Sequence, residues 1–132
     1  MTTLPIEKLI EVARASSKNA HCCYSDFPVG AGLLTDSGEV LPGCNVENMS
    51  YGLTNCAERT ALFAAISQGY KPHSFPAIAI YTPTQTIVTP CGACRQVMSE
   101  LMDKDAVVVS QCASGLQQQW TVGELLPDSF VF

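Results

Sequence analysis

The chain has 132 residues, a net charge of −5, and 47% apolar against 14% charged residues. That length fits one domain spanning residues 1–132 with a single core. The charged share is well below the usual figure of about 25%, which argues against a disordered chain and for apolar surface covered in an oligomer. The 7 Lys and Arg residues are scattered and form no basic stripe, which argues against a polynucleotide partner and for a small neutral substrate.

The first segment, MTTLPIEKLIEVARASS, lacks the basic start and apolar run of a signal peptide. No apolar stretch approaches the roughly 18 residues of a membrane helix. The expected compartment is therefore the cytoplasm, with no membrane partner, where thiols stay reduced. Seven cysteines are an odd number, so a disulfide framework fits poorly, and metal binding or catalysis gains weight.

In chain order, Ile6, Leu9, Ile10 and Ala13 follow helical spacing, and Pro5 suits a first turn, so 5–18 is predicted as a helix. VGAGLLT (29–35) reads as a strand, DSGE (36–39) as a turn, and VLPGCNV (40–46) as the hairpin partner. Residues 56–69 read as a helix stopped by Gly69. AIAIYT (77–82) is a continuous apolar run suited to a buried strand, 92–102 a second amphipathic helix, and 106–111 another buried strand. Residues 117–122 read as a final strand and 123–126 as a short helical turn. This order predicts a three-layer α/β/α sandwich around a mixed sheet of about five strands.

Cys91 and Cys94 form a Cys-x-x-Cys pair just after Pro90. Alone, such a pair fits a redox dithiol, half of a structural zinc site, or part of a catalytic one. A third cysteine, Cys56, opens the preceding predicted helix. At helix starts the backbone N–H groups and the helix dipole favour thiolate, so two helix ends with three sulfurs could meet on one Zn²⁺. Three protein ligands plus water is the open arrangement of a catalytic zinc; structural zinc usually has four. Cys22, Cys23, Cys44, Cys112, His21 and His73 could supply a fourth ligand by type, but none has diagnostic spacing to the three. Glu58, two residues after Cys56, is either a general acid/base beside the metal or the N3 glutamate of a capping box begun by Asn55. Both readings stay open from spacing alone. Arg59 and Arg95 directly follow motif residues and are candidates to donate to the thiolates and offset their negative charge.

Cys56-Ala57-Glu58 followed by Pro90-Cys91-Gly92-Ala93-Cys94 is the zinc-deaminase signature in its three-cysteine variant. GCNVENMSYGLTNCAERTA (43–61), PCGACRQVM (90–98), TVGELLP (121–127) and YSDFPVGAGLL (24–34) extend the likeness. On these residues the chain resembles the cytidine deaminase family, in its short homotetrameric branch, over nearly its whole length. The resemblance implies one Zn²⁺ per chain on Cys56, Cys91 and Cys94, with Glu58 moving protons. It also implies that Asn45 and Glu47 hydrogen-bond the ribose hydroxyls, that Phe27 lines the base pocket, and that the Ala57 backbone bonds the base. Tyr51 and Phe130 match positions from which neighbouring subunits complete a pocket. The implied reaction is hydrolytic deamination of cytidine and 2′-deoxycytidine, as in pyrimidine salvage.

This chain departs from the family pattern at His21-Cys22-Cys23, where an aromatic residue and a proline are usual, and at Met49, where alanine is usual. These positions bear on substrate breadth and leave the reaction type alone. Two rivals remain: the same chemistry on a modified cytidine or another aminopyrimidine nucleoside, and a non-catalytic zinc module with four protein ligands.

Overall fold

The structure is a computed structural model describing residues 3–132. Helix α1 (Ile6–Ser17) leads into the hairpin β1 (Gly30–Leu34) and β2 (Val40–Cys44). A single 3₁₀ turn (Tyr51–Leu53) then precedes α2 (Ala57–Ser67), β3 (Ala77–Thr82), α3 (Gly92–Leu101), β4 (Val107–Cys112), β5 (Gln117–Thr121) and the short α4 (Val122–Leu125). The five strands form one sheet in the order β2-β1-β3-β4-β5. Only β3 and β4 run parallel, joined by the α3 crossover; the other three pairs are antiparallel.

The strands alternate between two cores because successive side chains point to opposite faces. Ala77, Ala79, Val109 and Leu34 meet Leu9, Ile10 and Ala13 of α1. Ala31, Leu33, Ile78, Ile80 and Val108 meet α2 and α3 through Ala61, Leu62, Ala65, Cys94 and Met98. Burial on both faces is why 77–82 and 106–111 read as continuous apolar runs rather than alternating ones. Each large aliphatic side chain so buried contributes roughly 1.5–3 kcal/mol.

The predicted elements stand in order, with ends moved by one or two residues. Pro5 is the N-cap of α1 rather than a first-turn residue. Gly69 follows α2 with φ +100°, a conformation glycine takes without steric cost, and the chain leaves the helix there. The 3₁₀ turn at Tyr51–Leu53 went unread because it is too short to show a period. Among the described residues no helix is long and apolar enough to cross a membrane.

Candidate active site and metal centre

Cys56 and Cys91 are the N-caps of α2 and α3, and Cys94 lies in the first turn of α3. Both caps have extended backbone, and Cys91 turns its side chain towards the open N–H groups of its own helix, whereas Cys56 makes no side-chain cap bond. The Cys91 sulfur accepts from the Cys94 N–H at 3.4 Å. The sheet brings the two helix starts together, and the Sγ atoms of Cys56 and Cys91 lie 3.7 Å apart. The sulfur atoms of Cys56, Cys91 and Cys94 all lie within 4.8 Å of one another. Tetrahedral zinc with bonds of about 2.3 Å separates its sulfurs by about 3.8 Å, so this trio fits Zn²⁺. Among the described residues no fourth Cys, His, Asp or Glu ligand atom joins the group.

Within the trio, Cys56 is poised to lose its proton first. The Cys56 thiol is lowered to about 5, first by a hydrogen bond from Cys94 and then by Arg59. Cys94, as the donor to Cys56, is pushed up. Arg59 Nη2 donates to Cys56 Sγ at 3.2 Å. Its Nε–H is buried with no acceptor among the described residues, a donor suited to a centre that gains negative charge when all three thiols ionise. Arg95 departs from the sequence expectation. Its Nε donates to Pro90 O at 2.8 Å and its Nη1 to Leu125 O at 3.1 Å, so it braces the turn before Cys91 against α4 rather than reaching a sulfur. It lies on α3 four residues past the cap, where the backbone carbonyls of that turn and of α4 are the nearer acceptors.

Glu58 and Ala57 open into a cleft of about 350 Å³ that also takes in Cys56, Cys91, Phe27, Asn45 and Glu47. Such a volume suits a small organic ligand. Glu58 is only 5% exposed. Burial pushes its carboxyl up to about 7, so it can hold or release a proton near neutrality. The capping-box alternative fails here. The helix begins one residue later than that motif requires, with Cys56 as N-cap and no side-chain cap bond. The Asn55 amide donates instead to Thr60 Oγ1 at 3.2 Å. The capping box in this chain is Thr121 with Glu124, at the start of α4.

The far end of the cleft is polar. Asn45, 7% exposed, accepts from Val29 N–H at 2.8 Å and donates to Phe27 O at 2.9 Å. It therefore clips the 27–29 segment to the end of β2 and leaves one amide N–H without a partner among the described residues. Glu47 Oε1 accepts from the N–H groups of Tyr24 and Ser25, both at 3.1 Å, and Oε2 accepts from the Ser25 hydroxyl. These bonds, the hydroxyl first, hold the Glu47 carboxyl below its ordinary range. Gly43 sets where α2 begins. A Cβ there would lie 2.5 Å from Ala57 O and 2.8 Å from Ala61 Cβ, so only glycine admits this contact between strand and helix.

Tyr51 and Phe130 do not line this cleft in their own chain. Tyr51 is 76% exposed, edge-on to Tyr24 at 6.0 Å, and Phe130 is 68% exposed, edge-on to Phe132 at 5.8 Å. Met49 is also exposed. His73 pairs with Asp103 at 2.9 Å, and Cys112 is buried. His21 Nε2 lies 3.8 Å from Cys23 Sγ. Sequence reasoning assigned nothing to Ser25, Thr54, Val29, Ile80, Val88 or Thr89, which also line the cleft. Ser25 sat within a motif already singled out, and Val88 and Thr89 lie just before Cys91, but no periodicity marks either.

Residues 5–110 match the family described as the cytidine and deoxycytidylate deaminase zinc-binding region. The chain is 50% identical over 124 residues to a cytidine deaminase of Halalkalibacterium halodurans, covering 94% of this chain and 92% of that one. It is 44% identical over 127 residues to a cytidine deaminase of Sporosarcina psychrophila, covering 96% and 92%. A crystal structure of cytidine deaminase from Burkholderia pseudomallei superposes with a TM-score of 0.93 at 50% identity, covering 96% of this chain and 100% of that one. With its mixed five-stranded sheet and three sulfurs gathered at two helix starts, the chain belongs to the zinc-binding cytidine and deoxycytidylate deaminase family.

Proposed function

We propose that this protein hydrolytically deaminates cytidine and 2′-deoxycytidine to uridine and 2′-deoxyuridine with release of ammonia. The observation that carries the reading is a buried carboxyl, Glu58, placed at the three-sulfur centre in the floor of a cleft that fits a nucleoside. Zinc, when bound, supplies a Lewis acid that makes water nucleophilic at neutral pH. Glu58 takes a proton from the attacking water and delivers it to N3 of the base. The water oxygen bonds C4; Glu58 then takes the remaining proton from the C4 hydroxyl and passes it to the exocyclic nitrogen, the C4–N bond breaks as the C4=O double bond forms, and ammonia leaves. The Ala57 backbone and Phe27 orient the base, while Asn45 and Glu47 take the sugar hydroxyls. A site that pairs with those hydroxyls rejects free cytosine, because its buried polar groups would be left unmet. Arg59 offsets charge on the thiolates, and Arg95 holds the turn before Cys91.

The same reading extends to the assembly and the setting. The protein works as a homotetramer in the cytoplasm, in pyrimidine salvage, with Tyr51 and Phe130 completing pockets on neighbouring subunits. Supporting the assembly is the exposure of Met49, Tyr51, Leu53, Phe63 and Phe130 in the isolated chain.

The test is ammonia release from cytidine with zinc counted in the same sample. Turnover with one zinc per chain is expected. Glu58→Gln should keep zinc and fold while losing about 10²–10⁴ in kcat, the usual contribution of a positioned acid/base. Near-normal turnover by that variant would remove Glu58 from the mechanism. One zinc without turnover on either nucleoside would point to another aminopyrimidine substrate or to a structural metal.

A further inference from the structure

The acid at the sugar end of the cleft belongs to a chain of bonds that begins at Phe27. The Phe27 N–H donates to Ser25 Oγ at 3.1 Å, and the Ser25 hydroxyl donates to Glu47 Oε2. Asp26, between them, has φ +55°, and this left-handed turn, which Asp tolerates better than most residues, brings the Phe27 N–H back onto Ser25. The Phe27 carbonyl is held in turn by the Asn45 amide. Both polar groups of Phe27's backbone are thus tied, through Ser25 and Asn45, to the two side chains assigned to the sugar.

An ionised carboxylate offers about four acceptor positions. On Glu47 three are filled, two on Oε1 by backbone N–H groups and one on Oε2 by Ser25, leaving about one on Oε2. Ser25, Glu47 and Thr54 line both the Glu58 cleft and an adjoining cleft of about 240 Å³, so they form the ridge where the two meet. Three donors fix the direction of the remaining acceptor position, and a sugar O–H must come to it.

Resting on the reading of Glu47 as the sugar acceptor, we propose that Ser25 is a positioning residue that sets sugar specificity. Its hydroxyl restricts Glu47 to one acceptor direction and, through the Phe27 N–H, couples that direction to the wall facing the base. Without the hydroxyl, Oε2 has two open positions, takes up water, and no longer prefers one sugar hydroxyl geometry.

The experiment compares kcat and KM for cytidine, 2′-deoxycytidine and 3′-deoxycytidine in the zinc-loaded wild type, Ser25→Ala and Ser25→Thr, with melting temperature and zinc content read alongside. For Ser25→Ala, KM for cytidine should rise about tenfold, a typical loss for a hydrogen bond to a charged group, with a much smaller change in kcat. The wild-type preference, as kcat/KM, for cytidine over the less favoured deoxy analogue should shrink by a similar factor. Ser25→Thr, which keeps the hydroxyl, should restore the preference. An unchanged preference in Ser25→Ala, or equal losses on all three nucleosides that threonine does not repair, would overturn the proposal. A wild type that turns over all three without preference would overturn both this and the sugar role of Glu47, while leaving the deaminase reading intact. A wild type that turns over none would sink the deaminase reading; calorimetric binding of the same three nucleosides would then test the Ser25 preference on its own.

Discussion

Glu58 shows how much of a residue's role depends on a one-residue boundary. Its sequence environment suits a helix cap as well as a catalytic acid, and the start of α2 at Ala57 rather than Cys56 separates the two. Once the cap lies at Cys56, the carboxyl has no capping duty and is buried at the metal centre. The zinc trio was legible because ligand chemistry demands particular residue types at particular spacings. Arg95 was misread for the converse reason: nothing in a sequence says which of several nearby acceptors a long guanidinium will reach. Burial of Glu58 also has a measurable cost in zinc-stripped protein. Its folded-state value of about 7 lies above its unfolded value of 4.5, so the native state binds more protons between those limits. Stability from this group is complete below 4.5 and is lost as pH rises through 7. Glu58→Gln has no such loss, so its stability advantage over wild type in zinc-free denaturant titrations should grow by about 3 kcal/mol between pH 4.5 and pH 8. A constant difference across that range would mean that Glu58 is not held neutral by burial.

At the scale of elements, the buried strands and the amphipathic helices were readable from periodicity. Strand β5 was the least marked, because its Gln117, Gln118 and Gln119 are exposed at a sheet edge and no hydrophobic pattern distinguishes such a strand from a loop. The contact of β2 with α2 was invisible, since Gly43 carries no side chain to show a pattern. Yet that contact sets the height of Cys56, Ala57 and Glu58 above the sheet. Gly43→Ala should push α2 away at its first turn and destabilise the protein by about 1–3 kcal/mol, the usual range for overpacking. It should also speed zinc loss to a chelator, because Cys56 moves with the helix while Cys91 stays. A normal zinc-release rate in this variant would show that α2 is positioned by something other than the strand.

For the whole molecule, the sheet order and layers follow from the predicted elements, whereas the shortage of charge points only to an oligomer and the proposed tetramer rests on the family resemblance. The exposed Tyr51 and Phe130 make the proposed tetramer testable in two ways. Light scattering should give the mass of four chains. Mixing denatured Glu58→Gln and Phe130→Ala chains and refolding them together should recover activity that neither has when refolded alone. Hybrids contain sites with Glu58 from one chain and Phe130 from another. Recovery no greater than the sum of the two parents would place Phe130 outside its neighbour's pocket.

The two capping cysteines, Cys56 and Cys91, are 35 residues apart in the chain, and β3 lies between them. Their sulfurs cannot meet until β3 has joined the sheet and both helices have docked on it. High-affinity capture of the ion therefore belongs to the end of refolding, after the slow closure of non-local contacts. A chromophoric zinc indicator present during refolding should lose its metal to the protein at the rate of the last folding phase, and so serve as a clock for completion of the native state.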